Sequence, residues 1–152
     1  MANPDRTHYF EDFKPGQEFV TSGRTLTETD LVQFAGLSGD FSSLHMDKEY
    51  ARNTPFGERI FHGLGTLSIA SGLVVQLGIL EGSVIAFLGL EWRFALPVRI
   101  GDTIRASLAV LETRETQKPR EGIVTFEVRI LNQRGDLVQE GRWRLLLHGR
   151  DA

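Results

Sequence analysis

Apolar residues recur at helical spacing through the first half of the chain and alternate with polar ones through the second; the period changes after Gly82. Residues 17–26 read as a first strand, reached through the turn Phe13-Lys14-Pro15-Gly16. Thr27, followed three positions on by Asp30, reads as a helix start close to a capping box. Leu31, Phe34 and Ala35 then share one helical face, and Gly36 and Gly39 close that short helix. Residues 47–52 predict another turn of helix, ended by Asn53-Thr54-Pro55-Phe56-Gly57. Residues 64–80 are apolar on nearly every side, which predicts a helix enclosed all round.

Beyond Gly82 the strands follow. Leu88, Leu90, Trp92 and Phe94 line one face of a strand whose other face ends in charge. Pro97 and Gly101-Asp102 punctuate, and residues 103–113 resume as strand. The polar tip Gln117-Lys118-Pro119-Arg120-Glu121-Gly122 leads into Val124, Phe126, Val128 and Ile130, which alternate against Thr125, Glu127 and Arg129. Asn132-Gln133-Arg134-Gly135-Asp136 turns the chain again, and residues 137–147 return with Trp143, Leu145 and Leu147 on one side. One strand, one apolar helix and three or four long antiparallel strands make an α+β domain. The helix and the one-sided sheet are both satisfied if the sheet curls around the helix. That is a single hot-dog domain over residues 1–152, a curved antiparallel sheet wrapped around one long central helix. A sheet this small cannot also cover every side of the helix, so a second copy of the chain is expected, as a homodimer or an assembly of dimers.

Composition narrows the function. A chain of 152 residues fits one domain with a real core, and 41% apolar with 24% charged residues is ordinary for a globular protein. A net charge of −3, with bases scattered among acids, leaves no basic patch for nucleic acid. The absence of cysteine removes disulfides, thiolate nucleophiles and Cys-based zinc sites together. Met1-Ala2-Asn3-Pro4-Asp5-Arg6 has no apolar core of a secretion signal. The apolar run 64–80 is about a turn short of a membrane span and carries Thr66, Ser68, Ser71 and Gln76. No membrane association and a cytoplasmic location are therefore expected.

The chemistry concentrates in Ser38-Gly39-Asp40-Phe41-Ser42-Ser43-Leu44-His45, followed by His62-Gly63. Asp40 and His45 stand five positions apart in a segment too rich in Gly and Ser for regular helix, where that spacing would separate them by about 140°. In an irregular loop they can converge on one small molecule. Taken alone, Asp40 reads equally as a turn former, a lone His beside Leu44 as a satisfied core histidine, and Ser71 as a hydroxyl bonded to the carbonyl four residues back. The pair, with His62-Gly63 opening an apolar helix, points instead to adding or removing water beside a carbonyl. Asp40 supplies a fixed acceptor and His45 a proton carrier, so the two can orient one water and shuttle its proton. The Gly63 backbone N–H, at the start of the helix, can stabilise an oxyanion, and its missing side chain lets a carbonyl group approach the backbone closely. His62 caps the helix or lines the pocket; His8 and His148 sit in terminal polar contexts. Asp40, His45 and His62 could supply three metal ligands, but their spacing matches no common zinc pattern, so no metal is expected.

These residues carry a family resemblance. The run from Phe34 to His45, then Phe56-Gly57, Ile60-Phe61-His62-Gly63 and Phe94-Ala95-Leu96-Pro97-Val98-Arg99-Ile100-Gly101-Asp102, resembles the MaoC-like (R)-specific enoyl-CoA hydratase family over nearly the whole chain. The resemblance implies a hot-dog fold and reversible hydration of trans-2-enoyl thioesters to (R)-3-hydroxyacyl thioesters, on CoA or acyl carrier protein, without cofactor. It implies Asp40 and His45 as the catalytic pair, Gly63 as the oxyanion glycine and Ser71 as a serine bonded to the catalytic Asp. The family usually reads Asp-x-Asn-Pro-Leu-His, so Ser42 replaces an amide donor and Ser43 a stiffening proline. The departure touches rate, substrate preference and loop rigidity. Arg93, Arg99 and Arg105 could meet carrier phosphates or form a solvated strand face. A thioester hydrolase and a catalytically weakened acyl-thioester binding protein are the two other readings of the same chain.

Overall fold

The computed structural model describes residues 6–150, so the reading of Met1-Ala2-Asn3-Pro4-Asp5 lies outside the described residues. Thr27 starts α1 (Glu28–Ser38) with a complete capping box: its hydroxyl accepts the Asp30 N–H at 3.3 Å, and the Asp30 carboxylate accepts the Thr27 N–H at 2.8 Å. Gly36 lies inside this helix, and Gly39 alone ends it, in the left-handed conformation with φ 77°. Two short helices follow, α2 (Ser43–Met46) and α3 (Lys48–Arg52), the second capped by the Asp47 side chain on the Tyr50 N–H. The long helix α4 covers Gly63–Gln76 and stops short of residue 80, because the chain turns through Leu77 into Gly78 at φ 78°.

The expected first strand is divided into β1 (Glu18–Val20) and β2 (Arg24–Thr25), both antiparallel to β4. Between them the Thr21 hydroxyl accepts the Ala106 N–H at 2.9 Å, where a strand carbonyl would otherwise serve. The four long strands are β3 (Val84–Phe94), β4 (Thr103–Glu115), β5 (Glu121–Leu131) and β6 (Leu137–His148). They form one antiparallel sheet ordered β1-β4-β5-β6-β3, with β2 also on β4.

The alternation read from the sequence sets the inner face. Leu108 and Val110, Val124 and Phe126, and Trp143 and Leu145 are buried with Val74 of α4 in one apolar cluster. Ala70 and Leu73 of the same helix join Leu31, Phe61, Ile104 and Ile130 in a second. The sheet thus wraps α4 in the hot-dog arrangement. Enclosure is one-sided, however: Leu64 is 62% and Val75 53% exposed on the outward face of α4. Phe87, Leu88 and Leu90 stand exposed on the edge strand β3. The expectation of a helix enclosed all round fails within one chain, because the sheet covers only the inward half. Among the described residues no helix is long and apolar enough to cross a membrane.

Candidate functional site

Gly39 in its left-handed turn releases the chain from α1 and aims Asp40 away from it. The turn is fastened by the Ser38 hydroxyl, which donates to the Phe34 carbonyl at 2.8 Å and accepts the Asp40 N–H at 3.2 Å. Asp40 Oδ1 in turn accepts the Ser42 N–H at 3.2 Å. His45, expected in irregular loop, instead occupies the single helical turn α2; only residues 39–42 are irregular. That turn brings the His45 ring under an extended segment, where its Nδ1 lies 2.8 Å from the Ile60 carbonyl. The segment is itself pinned by the Phe61 N–H to the Val98 carbonyl at 2.7 Å.

A carbonyl only accepts, so His45 Nδ1 carries the proton of the neutral ring and Nε2 is left as an acceptor. Nε2 faces Asp40 Oδ2 across 3.9 Å, too far for a direct hydrogen bond. Two acceptors at that separation can be bridged by a molecule with two hydrogens to give. Water donating two bonds of about 2.8 Å would span 3.9 Å at an angle of roughly 90°. The Asp40 carboxyl is held below the ordinary carboxylate range by the backbone N–H and then the hydroxyl of Ser42, with further pull from His45 and His62. It therefore remains an acceptor throughout the neutral range.

Gly63, the first residue of α4, lines a cavity of about 270 Å³ together with His45, Thr66, Phe94, Leu96 and Gln139. Its N–H is one of the first-turn donors without an intrahelical partner, at the positive end of a 14-residue helix. A side chain there would meet the Phe94 ring at 2.8 Å, so the ring packs directly on the glycine.

Two expected residues take other places. His62 is 2% exposed and does not line the cavity; it sits behind His45, its ring stacked at 3.9 Å with 29° between planes. Ser71 lies in a separate hollow with Val74, Val84, Phe87 and Trp143, and its hydroxyl donates to the Ser68 carbonyl at 2.7 Å. Within one chain it bonds its own helix and not Asp40. Arg93 pairs with Glu140, and Arg99 pairs with Glu58, so neither presents a free charge for phosphates. Ligand atoms of Asp40, His45 and His62 fall within 4.8 Å of one another. His62 Nε2, which faces Asp40 Oδ2, is taken by the Asp40 carbonyl at 2.9 Å, so that nitrogen offers no lone pair to an ion there.

Gln139 and Arg59 also support the site. Gln139, 2% exposed, accepts the Trp92 indole N–H at 2.9 Å and donates to the Gly63 carbonyl at 3.0 Å, bracing the start of α4 on the sheet. Arg59 grips Glu28 through both guanidinium nitrogens at 2.8 and 2.6 Å and also reaches the His45 carbonyl at 3.3 Å. The hydrogen bonds from Arg59 hold the Glu28 carboxyl below the ordinary glutamate value of 4.5. A carboxyl that titrates lower when folded stabilises the fold above its unfolded value and stops doing so as pH falls through the folded one. Glu28→Gln is therefore expected to cost no more than about 1 kcal/mol at neutral pH, since Glu28 is 53% exposed. Denaturant titrations of both proteins check this: the difference should disappear in acid below the glutamate range.

The Ser42-Ser43 departure has a testable local reading. Ser42 has φ −59° and ψ 148°, the extended conformation that precedes proline, and Ser43 is the first residue of α2. The Ser42 side chain makes no capping bond. Ser42→Asn with Ser43→Pro is thus expected to preserve activity and to stabilise the fold by about 0.4–1 kcal/mol. Thermal melts and turnover of the double variant decide it; a loss of stability would mean the loop needs serine.

A curved antiparallel sheet around one helix is the hot-dog architecture, and here an acid and an imidazole lie beside that helix's first N–H. Residues 12–130 match the profile described as MaoC like domain, and the chain belongs to that family. It is 35% identical over 143 residues to the (R)-specific enoyl-CoA hydratase of Rhodospirillum rubrum, covering 94% of each chain. It is 42% identical over 149 residues to protein MaoC of Klebsiella aerogenes, covering 95% of this chain but only 41% of that one, so it spans about two fifths of MaoC. Among solved structures, one from Archaeoglobus described as a monoamine oxidase regulatory protein superimposes with a TM-score of 0.88 at 42% identity, covering 94% of this chain and 95% of the other.

Proposed function

We propose that this chain hydrates trans-2-enoyl thioesters reversibly to (R)-3-hydroxyacyl thioesters, carried on CoA or an acyl carrier protein. The observation that carries the reading is the pair of acceptors, Asp40 Oδ2 and His45 Nε2, separated by 3.9 Å. The hydratase relative supports the same chemistry.

In the forward direction the water held between the two acceptors attacks Cβ of the enoyl group. One of its protons passes to His45 Nε2, while Asp40 keeps the hydroxyl hydrogen aligned. Electron density moves through Cα to the thioester oxygen, which the Gly63 N–H and the helix dipole stabilise. His45 returns the proton to Cα on the face from which water came. The sum is addition of one water, with no change of oxidation state and no cofactor.

Incubation with a crotonyl thioester tests the reading against its rivals. Hydration removes the enoyl absorbance without releasing thiol. Release of free thiol would make the chain a thioesterase, and neither change would make it a binding protein.

The exposed apolar stripes of α4 and β3 adjoin one another around the hollow that holds Ser71. We read them as the face that meets a second copy, with the acyl chain lying near the boundary. Sedimentation at micromolar concentration is expected to show a dimer or an assembly of dimers. A stable monomer would overturn this reading.

A further inference from the structure

His62 stands where a helix cap belongs, yet its side chain makes no capping bond. Its Nε2 reaches 22 residues back along the chain to the Asp40 carbonyl at 2.9 Å. Since that carbonyl only accepts, Nε2 carries the proton. The ring is held from two more sides, by Phe34 at 5.0 Å and Phe61 at 6.3 Å between centroids, and its open face is stacked on His45. Its Nδ1 is buried with no hydrogen-bond partner. Burying an imidazole with one nitrogen unsatisfied costs stability, which a phenyl ring of similar shape would avoid. What the imidazole supplies, and a phenyl ring would not, is the donor to Asp40.

This one residue therefore touches all three parts of the site. Its N–H fixes the Asp40 backbone, its ring face backs His45, and its own backbone leads into Gly63. His62 Nε2 is also 3.9 Å from Asp40 Oδ2, the distance at which His45 Nε2 stands from the same oxygen. From these contacts we propose that His62 is a positioning residue that sets the gap between Asp40 and His45 to the width of one water. The proposal rests on the hydratase reading. His62 reaches neither the cavity nor the substrate, so its effect falls on kcat rather than on binding.

The test compares two variants of the full chain with crotonyl-CoA as substrate. His62→Phe keeps the stacked ring and loses the donor. His62→Gln loses the ring but carries an amide N–H of about the reach of Nε2. His62→Phe is expected to lower kcat about 10- to 100-fold, the scale set by a displacement of catalytic groups on the order of 1 Å, with KM within about twofold of wild type. His62→Gln is expected to recover most of that loss. Should the Phe variant fail to fold, His62→Asn, whose shorter amide falls short of Nε2, takes its place with the same expectation.

Wild-type kcat in the donor-less variant would overturn the proposal. So would equal losses in the Phe and Gln variants, or a rise in KM that accounts for the whole effect. Wild type without activity on any enoyl thioester would instead overturn the hydratase reading on which the proposal stands. The two failures are thus told apart by the wild-type arm alone.

Discussion

Asp40→Asn is expected to lower enoyl-thioester hydration by about 10²–10⁴-fold while the protein stays folded. The side chain is 47% exposed and the Asp40 carbonyl that receives His62 is untouched, so the fold loses little. The chemistry loses its fixed acceptor. An amide NH₂ opposite His45 Nε2 can donate to it, which closes the gap proposed for water. His45→Ala is expected to cost a similar factor by removing the proton carrier. Because both side chains are proposed to act on one water, the double variant should be little worse than either single one. Steady-state kinetics on the three proteins, with circular dichroism to show that each is folded, check this. Near-normal turnover by a folded single variant, or losses that multiply, would remove the pair from its role.

The second large effect is expected at Gly63, and it separates the N–H from the space beside it. Gly63→Ala keeps the donor and adds a Cβ that would press on the Phe94 ring, which lies 2.8 Å from that position. Gly63→Pro adds the same atom and deletes the donor. Proline is tolerated at the first helical position, and His62 before it has the extended φ −59° and ψ 130° that proline requires. The Pro variant is therefore expected to retain α4, and to be slower than the Ala variant by about 10²–10³-fold, the usual effect of losing one oxyanion donor. Equal rates for Ala and Pro would place the oxyanion elsewhere.

Much of this architecture was legible in the sequence because its causes are local. Thr27 and Asp30 announce the start of α1, and Val124 to Ile130 alternate as the inner face of β5. The breaks were less legible. The gap between β1 and β2 depends on the Thr21 hydroxyl meeting Ala106, a contact between residues 85 positions apart. Asp40, His45 and Gly63 stood out as candidates from residue type and spacing, but their geometry did not. What orients His45 is a backbone carbonyl at Ile60, and backbone carbonyls carry no sequence signal. Likewise Arg59 joins α1 to α2 from a loop in which one arginine looks like any other. Gln139 did leave a trace: it shares the inward positions of β6 with Trp143, Leu145 and Leu147, where an amide has to find buried partners. The α4 helix illustrates the limit of reading periodicity. Its all-round apolarity implied complete enclosure, yet one chain covers only half of it.

The most direct test of the proposal that Asp40 and His45 hold one water is the stereochemistry of its addition in deuterium oxide. The product formed from a trans-2-enoyl thioester is examined by NMR after hydrolysis to the free acid. On the proposed mechanism one water and one proton carrier act on a single face of the substrate. It predicts an (R)-3-hydroxyacyl product with a single deuterium at Cα, delivered to the same face as the oxygen. A product of mixed configuration at Cβ, or deuterium spread over both positions at Cα, would contradict it.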